Sequence, residues 1–592
     1  MLEPQQRATF TEQLQPPTGF RLVQAIGTTF TLDLISALAV PLSFSASRLH
    51  DADDPVSTFA AISQAADAID IFAQAGEITL GKHSDLVTYL EEPIHAVATP
   101  GGIFHPKVWM LEFARGGEHR FRLISSSRNL TGDRSWDIVV RLDGNPSLDG
   151  GSQEQNEPIQ RLVRGLPELC IQPLDVARKQ RILDFAERLG SVEWETSDDI
   201  RELAFHTLGI GEATPPKVSG NRALVISPFV TDDRMRELRA SIRGETHLLS
   251  RGTSLDRLAP ECFDEQLHVY DFDQAANLEA EDDHQLTGLH AKAIIVDQSR
   301  RSRIWLGSAN ATRAAWHDNV EFMVEFAAST PSYGVATTMA ALGELKVLYD
   351  TAGGEAEPAD EAARYAVDTA LRRLATLAVI SRVVAGAPHT QLVWVGEGLE
   401  DALRPARANG IEIEWRLLTD LGSTTTRLGE HEADATRFEG LDLTEITAFL
   451  VASATHPLLP GEQQSTIIPM RLLDDIADRK EATIARHLAD PAAFIRLLTM
   501  LLQLSGLAAA TDAAGSGAWR EFGGGTASST GLFEALVRAL ARGAQGLDDA
   551  QRIINFLRRE PESTALPVGF EPLWNAVWDA HQQLRGRASD DE

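Results

Sequence analysis

The sequence predicts an α/β fold of two pseudo-symmetric halves, followed by a C-terminal region of β-strands and then helices. Three observations predict it. Apolar runs of strand length alternate with helical spacing through residues 1–350. One short pattern occurs twice, about 185 positions apart: Phe104-His105-Pro106-Lys107-Val108 leading to Ser126-Ser127-Arg128-Asn129, and Leu289-His290-Ala291-Lys292-Ala293 leading to Gly307-Ser308-Ala309-Asn310. An acidic Ala/Gly/Pro stretch, Thr351–Ala363, then closes the repeated part, and no comparable constellation follows it.

The elements follow in order. Pro16-Pro17-Thr18-Gly19 is a turn before an apolar strand or helix, and residues 57–76 space Ala, Ile and Phe as a helix does. Residues 95–142 read as strands: the first motif, the return strand Arg120–Ser125, and Ile138–Leu142. Asp143–Pro158 reads as a loop, and residues 160–208 as a mostly helical bridge. A second block repeats the order: strand Ala223–Val230, helix Asp232–Ile242, strand Thr246–Ser250, the second motif, its return strand Ile304–Leu306, and strand Val320–Phe326. Beyond the boundary, Gln391–Val395, Ile411–Leu418, Ile446–Ser453 and Ser465–Leu472 read as strands. From Arg479 the pattern is helical, interrupted by a Gly/Ala/Ser/Thr-rich gap at Ala508–Thr530. The expected domains are 1–165, a connector 166–205, a second half 206–350, a β-rich accessory region 351–478 and a helical region 479–592.

Composition narrows the class. The 592 residues suffice for three or four domains. Cys170 and Cys262 allow neither a disulfide framework nor a zinc knuckle, and they fit a reducing cytoplasm. The N-terminus carries no apolar signal core, and Leu32–Phe44, broken by Asp33 and Pro41, is too short to span a bilayer, so no membrane association is expected. A net charge of −31 argues against broad coating of nucleic acid, yet residues 101–145 carry net +2 and residues 286–316 net +4. Both motifs sit in basic islands of an acidic protein. With seven Lys and 16 His in the chain, chance supplies about 0.2 His-x-Lys tripeptides.

The residue types point to phosphodiester chemistry. Side chains at i and i+2 of a strand share a face, so His105 pairs with Lys107 and His290 with Lys292, while Asn129 and Asn310 arrive from the next strand's end. A neutral imidazole can attack phosphorus, and a protonated one opposite can protonate the leaving oxygen. The lysines and asparagines can hold the nonbridging oxygens, with Ser127, Ser308 and Arg128 adding donors. Each imidazole needs an acceptor on its second nitrogen, for which Asp137 and Glu321 are the candidates. Trp136 and Trp316 could stack on a base, core packing being the alternative.

These residues resemble the phospholipase D superfamily, whose signature is His-x-Lys-x4-Asp followed by Gly-Ser-x-Asn. The second copy matches at His290, Lys292, Asp297, Gly307, Ser308 and Asn310; the first carries Glu112 for the Asp and Ser126 for the Gly. Tyrosyl-DNA phosphodiesterases relax the same acid. The resemblance, over residues 20–345, implies two phospholipase D-like mixed-sheet halves, no metal or other cofactor, His105 as nucleophile and His290 as acid/base. It implies a nuclease or DNA end-processing phosphodiesterase, DNA being favoured as substrate. Its layout is similar to phospholipase D-like proteins of bacterial DNA-restriction and anti-phage systems. There the C-terminal region would meet a helicase or other defence subunit. The alternatives are a phospholipid phosphodiesterase or transferase, and a non-catalytic scaffold of a defence complex. Both motif copies in one chain favour a site closed within one molecule rather than across a dimer.

Overall fold

The computed structural model describes residues 10–45, 66–80, 85–132, 135–148, 151–272, 288–420, 422–488, 491, 493–495, 497–498, 501, 536–537, 539–540, 546–559, 565–567 and 569–590. The gap expected at Ala508–Thr530, and much of the helical stretches expected on either side of it, lie outside these residues.

The first half contains β1 (Arg21–Thr29), β2 (Leu32–Asp33), β3 (Ile69–Gln74), β4 (Ile78–Thr79), β5 (Ile94–Val97), β6 (Val108–Arg115), β7 (Glu118–Ser126), β8 (Val139–Pro146) and β9 (Val192–Trp194). β2 and β4 form a small ribbon, and the other seven form one sheet in the order β5-β3-β1-β6-β7-β8-β9. The second half contains β10 (Ile200–Leu208), β11 (Arg222–Ile226), β12 (Thr246–Ser250), β13 (Leu267–Phe272), β14 (Ala293–Gln298), β15 (Arg301–Gly307), β16 (Glu321–Ser329) and β17 (Lys346–Leu348). Its sheet runs β17-β13-β12-β11-β14-β15-β16-β10. In each half three parallel strands (β5-β3-β1 and β13-β12-β11) meet an antiparallel run (β6-β7-β8 and β14-β15-β16). The same mixed sheet is built twice, with each motif leading into the strand beside the central one.

Alternation along the motif strands explains the layering. Val108 and Met110 of β6 and Ala293 and Ile295 of β14 enter one apolar core shared by both halves. Trp109, Leu111 and Phe113 face the opposite way, into a core that continues into the C-terminal region. Ile294 and Val296 face the second half's own outer core, which the helix Asp232–Ala240 covers. Both faces of both sheets are therefore buried, and β6 reads as a continuous apolar run.

The same burial corrects several expectations. Within the helix expected at 57–76, residues 57–65 lie outside the described residues and Ile69–Gln74 is a strand buried at every position. A central parallel strand covered on both faces has no reason to alternate, so its apolar spacing mimics a helix. The loop expected at Asp143–Pro158 begins as strand, because β8 runs to Pro146 between β7 and β9, and a helix already starts at Glu157. The bridge expected to be helical over 160–208 holds the helices Glu157–Leu169 and Val176–Gly190 but ends in β9 and β10, the latter pairing with β16 along its whole length.

The C-terminal region adds β18 (Val379–Val384), β19 (His389–Val395), β20 (Glu412–Leu417), β21 (Thr436–Leu441), β22 (Phe449–Thr455) and β23 (Gln463–Leu473). They form a six-stranded sheet, β20-β22-β23-β18-β19-β21, against which the helix Ala359–Ala375 packs. β18 and β21 were not among the expected strands. Among the described residues, no helix is long and apolar enough to cross a membrane.

Candidate active site

The residues just ahead of β6 and β14 leave their own sheets and pair with the other half. Phe104 bridges to Val320, and Leu289 bridges to Trp136. The His105 N–H donates to the Val320 carbonyl at 2.9 Å, and the His290 N–H to the Trp136 carbonyl at 2.8 Å. His105, Lys107, His290 and Lys292 therefore lie in extended segments before the strands rather than in them. Pro106 removes no ladder donor there, because the ladder starts at Val108.

This crossing makes the acid of one half serve the histidine of the other. Glu321, next to Val320, accepts from His105 Nδ1 at 2.9 Å and has a fully buried side chain. The bond puts the His105 proton on Nδ1 and leaves Nε2 as the lone-pair nitrogen. Lys107 Nζ lies 2.7 Å from that Nε2 and donates to the His105 carbonyl at 3.2 Å. Lys292 Nζ donates to the His290 carbonyl at 2.8 Å and to the Ser127 carbonyl of the first half at 3.2 Å.

Burial and crowded cations set the protonation states. Burial pushes the His105 imidazole down to about 4; Glu321 opposes this, while Lys107 and Lys292 add to it. Burial likewise carries Lys107 well below its ordinary value, with the Lys292 charge adding to the effect. Burial brings Lys292 down to about 8, against the opposing charges of Glu321 and Asp137. Burial pushes Glu321 up, but His105, Lys107 and Ser308 outweigh it and hold the carboxyl below the usual carboxylate range. The result is a neutral imidazole, an ionised carboxylate and two lysines, one from each half, the Lys292 charge adding to the depression of Lys107.

The remaining expected residues divide. Asp137 follows Trp136 as Glu321 follows Val320, and its charge acts on Lys292. Asn310 accepts from Ser227 Oγ at 3.5 Å through its amide oxygen, leaving the Nδ2 hydrogens as donors. The Asn129 amide oxygen is buried without a hydrogen-bond partner among the described residues. Arg128 donates to the Thr131 carbonyl at 2.8 Å.

Four of the expected substrate-contact residues are buried. Ser127 and Ser308 are fully buried. Ser127 Oγ accepts from the Ile138 N–H at 2.9 Å, and Ser308 Oγ accepts from the Phe322 N–H at 3.0 Å and donates to Glu321. Each hydroxyl fastens its turn to the residue that follows the acid, Ile138 or Phe322. Trp316 is 1% exposed, donates to the Asn310 carbonyl at 3.1 Å and carries the Arg234 guanidinium 3.7 Å from its ring centre. Trp136 packs on Phe272 between the halves, with ring centroids 5.6 Å apart. Both indoles belong to the core, the alternative reading.

The acids of the two His-x-Lys-x4-acid motifs are anchors. Asp297 accepts from Ser302, from the Val335 N–H that opens the helix Val335–Leu342, and from Arg222, at 2.8, 3.0 and 3.0 Å. Glu112 reaches Arg188, on the helix Val176–Gly190, at 2.7 Å and His119 at 2.8 Å. The longer side chain in the first copy suits a partner on a separate helix.

Several supports were not found from the sequence. Gln74 Oε1 accepts from the Phe104 N–H at 2.6 Å, and Arg251 donates to the Leu289 carbonyl at 2.8 Å. These residues occupy equivalent ends of β3 and β12, each gripping the residue before a histidine. Phe30 lies 5.2 Å from the His105 ring and 5.9 Å from Lys107 Nζ. Asn319 bonds the Ile103 N–H at 3.1 Å and Glu321 at 3.3 Å. Thr29 and Ser227 make equivalent bonds to the N–H groups of Leu130 and Ala311, at 3.0 and 2.9 Å. Strand register pairs Gln74 with Arg251 and Thr29 with Ser227, whereas their separations from the lysines along the sequence differ between the copies, so spacing does not reveal them.

The two halves share one mixed-sheet α/β architecture. No protein-family model and no curated protein matches the sequence. Among solved structures, yeast tyrosyl-DNA phosphodiesterase is similar at 9% identity over 58% of this chain and 89% of its own, with a TM-score of 0.33. Phosphatidylserine synthase from Haemophilus influenzae Rd KW20 is similar at 9% identity over 61% of this chain and 91% of its own, with a TM-score of 0.32.

Proposed function

We propose that this protein is a phosphodiesterase of phospholipase D-like mechanism, acting on nucleic-acid esters through a phosphohistidine. The observation that carries the reading is the Glu321–His105 pair, which joins the two halves at 2.9 Å beside Lys107. It supports a neutral imidazole with Nε2 ready to attack phosphorus, helped by the depression of His105 to about 4. A phosphate oxygen takes over the Lys107 ammonium as Nε2 approaches phosphorus. Lys292 and the amides of Asn129 and Asn310 hold the other nonbridging oxygens. His290 gives its proton to the leaving oxygen and then takes one from the hydrolytic water. The chain's own cations supply the charge neutralisation, so the reaction runs without metal. The basic motif islands favour DNA as substrate, a defence setting suits the layout, and the C-terminal region is the surface proposed for a protein partner.

The test is incubation of the full chain with single- and double-stranded DNA in excess EDTA, beside His105→Ala and His290→Ala. Only the unsubstituted protein cleaves. A 32P-labelled adduct, labile in acid and stable in base, forms on His105. Adduct on His290 instead reverses the two roles, and loss of cleavage in EDTA refutes the metal-free mechanism.

A further inference from the structure

The two sides of the site are chemically unlike. Phe30 lies against His105 and Lys107. On the other side a cleft of about 650 Å³ opens directly on His290, and among the described residues neither His105 nor Lys107 lines it. Its wall is formed by Leu289, Phe272, Asp271, Asp256 and Arg251. Phe272 is backed by the stacked Trp136 and gives one apolar surface.

The polar surface is acidic. Asp256 accepts from Tyr349 and Thr351 at 3.0 and 2.7 Å. Asp271 Oδ1 accepts from the N–H groups of Gly252 and Phe272 at 3.0 and 2.8 Å, while its Oδ2 takes no hydrogen bond among the described residues. The Arg251 guanidinium is directed to the Leu289 carbonyl and sits 4.9 Å from the Phe229 ring centre. The Tyr349 hydroxyl, also in the wall, is held above its ordinary value by its bond to Asp256, by burial and by the charges of Asp256, Asp271 and Glu355. Two carboxylates, Asp256 and Asp271, thus line the cleft beside His290 and one guanidinium already engaged with the backbone.

We propose that this cleft is the leaving-group site, and that it takes a compact alcohol carrying hydrogen-bond donors or a positive charge rather than a further phosphate-bearing strand. The inference rests on the phosphodiesterase reading above and names the substrate class of the same site. When His105 Nε2 bonds to phosphorus, the bond from phosphorus to the leaving oxygen breaks with its electron pair on that oxygen, and the His290 proton completes the alcohol inside the cleft. Asp271 Oδ2 meets an ammonium or hydroxyl there, and Phe272 meets carbon. A polynucleotide leaving strand would instead bring phosphates against these carboxylates. The favoured bond in DNA is therefore one to a terminal group, so the DNA test above reads release from strand ends rather than cuts inside a strand.

Three esters of thymidine 5′-phosphate test this, with 2-aminoethyl, propyl and carboxymethyl groups as the second alcohol. Release of each alcohol is measured with the full chain and with Asp271→Asn. The expected order of kcat/KM is aminoethyl, propyl, carboxymethyl, with at least ten-fold between the extremes, and Asp271→Asn brings the extremes together. Equal release of all three by the unsubstituted protein, or preference for the carboxymethyl ester, overturns the leaving-group assignment and leaves the phosphodiesterase reading standing. No release from any ester, together with no phosphohistidine, overturns both. The order among esters is read on the unsubstituted protein, so the test survives a poorly folded variant.

Discussion

Under the proposed mechanism, His105 and the paired lysines set opposite ends of the working pH range. His105 must be neutral to attack, and its depression to about 4 keeps it so through the physiological range. Lys292 must be charged to hold phosphate oxygens, and it is pushed down to about 8. The profile of kcat/KM against pH is therefore expected to rise through about 4 and to fall as the lysines lose their charge, Lys107 being depressed as well as Lys292. If Lys292 sets that fall, Lys292→Arg carries the alkaline limb upward, because guanidinium does not deprotonate in that range. A limb that stays in place with arginine would assign it to another group. The paired lysines and histidines were legible because one sequence prints them twice. Ser127, Ser308, Trp136 and Trp316 were legible as positions but not as roles: whether a hydroxyl meets substrate or fastens its own turn depends on the strand opposite, which spacing does not carry.

Strands explain both the successes and the misreadings. β6, β7, β14 and β15 follow from apolar runs with return strands. β3 does not, because full burial erases its alternation. The loop after β3 shows what the misreading hid. Gln74 grips Phe104 ahead of His105, and Gly76 at φ +90° abuts the helix Ala359–Ala375 so closely that a Cβ would lie 2.4 Å from Arg372 Cα. Glu77, the residue after Gly76, is pushed up to about 7 by burial, with Asp368 adding to it and Arg372, Thr31 and Lys107 opposing it. Arg372 is 3.7 Å away and 18% of the Glu77 side chain is exposed. An acid whose folded value is raised contributes stability that is complete below its unfolded value, near 4.3, and that is lost as pH rises through the folded value of about 7. The loss for the unsubstituted protein amounts to roughly 3 kcal/mol by pH 8. In Glu77→Gln the amide carries no such titration, so its urea stability should vary less between pH 5 and 8. Identical pH slopes in the two proteins would refute the assignment.

At the scale of the molecule, the C-terminal region is part of the core that supports the site. The outer face of the first sheet shares one continuous apolar core with β19, β20, β22, β23 and the C-terminal helices. The sequence marks a boundary at Thr351–Ala363 but not this packing, because a composition break says where the chain turns and not what its next element covers. Arg479 is the polar fastening of the join. It is 3% exposed at its side chain, bonds Glu91 of the first half at 2.6 Å, and reaches Asp475 at 2.9 Å, Thr88 at 2.8 Å and the Ile446 carbonyl at 3.2 Å. Removing one partner of a buried pair leaves the other charge uncompensated, at a cost of about 3–5 kcal/mol. Glu91 retains the Thr447 hydroxyl and the Ala448 N–H, at 3.1 and 2.8 Å, so the lower end of that range is expected for Arg479→Ala. Arg479→Met with Glu91→Gln removes both charges and keeps most of the volume, so it should lose less than Arg479→Ala does. Urea unfolding of the full chain measures both variants. If the double variant is the weaker, the join depends on the ion pair itself and not on avoiding a stranded charge. If Arg479→Ala unfolds the C-terminal region in a separate earlier transition, the two regions share a core without sharing cooperativity.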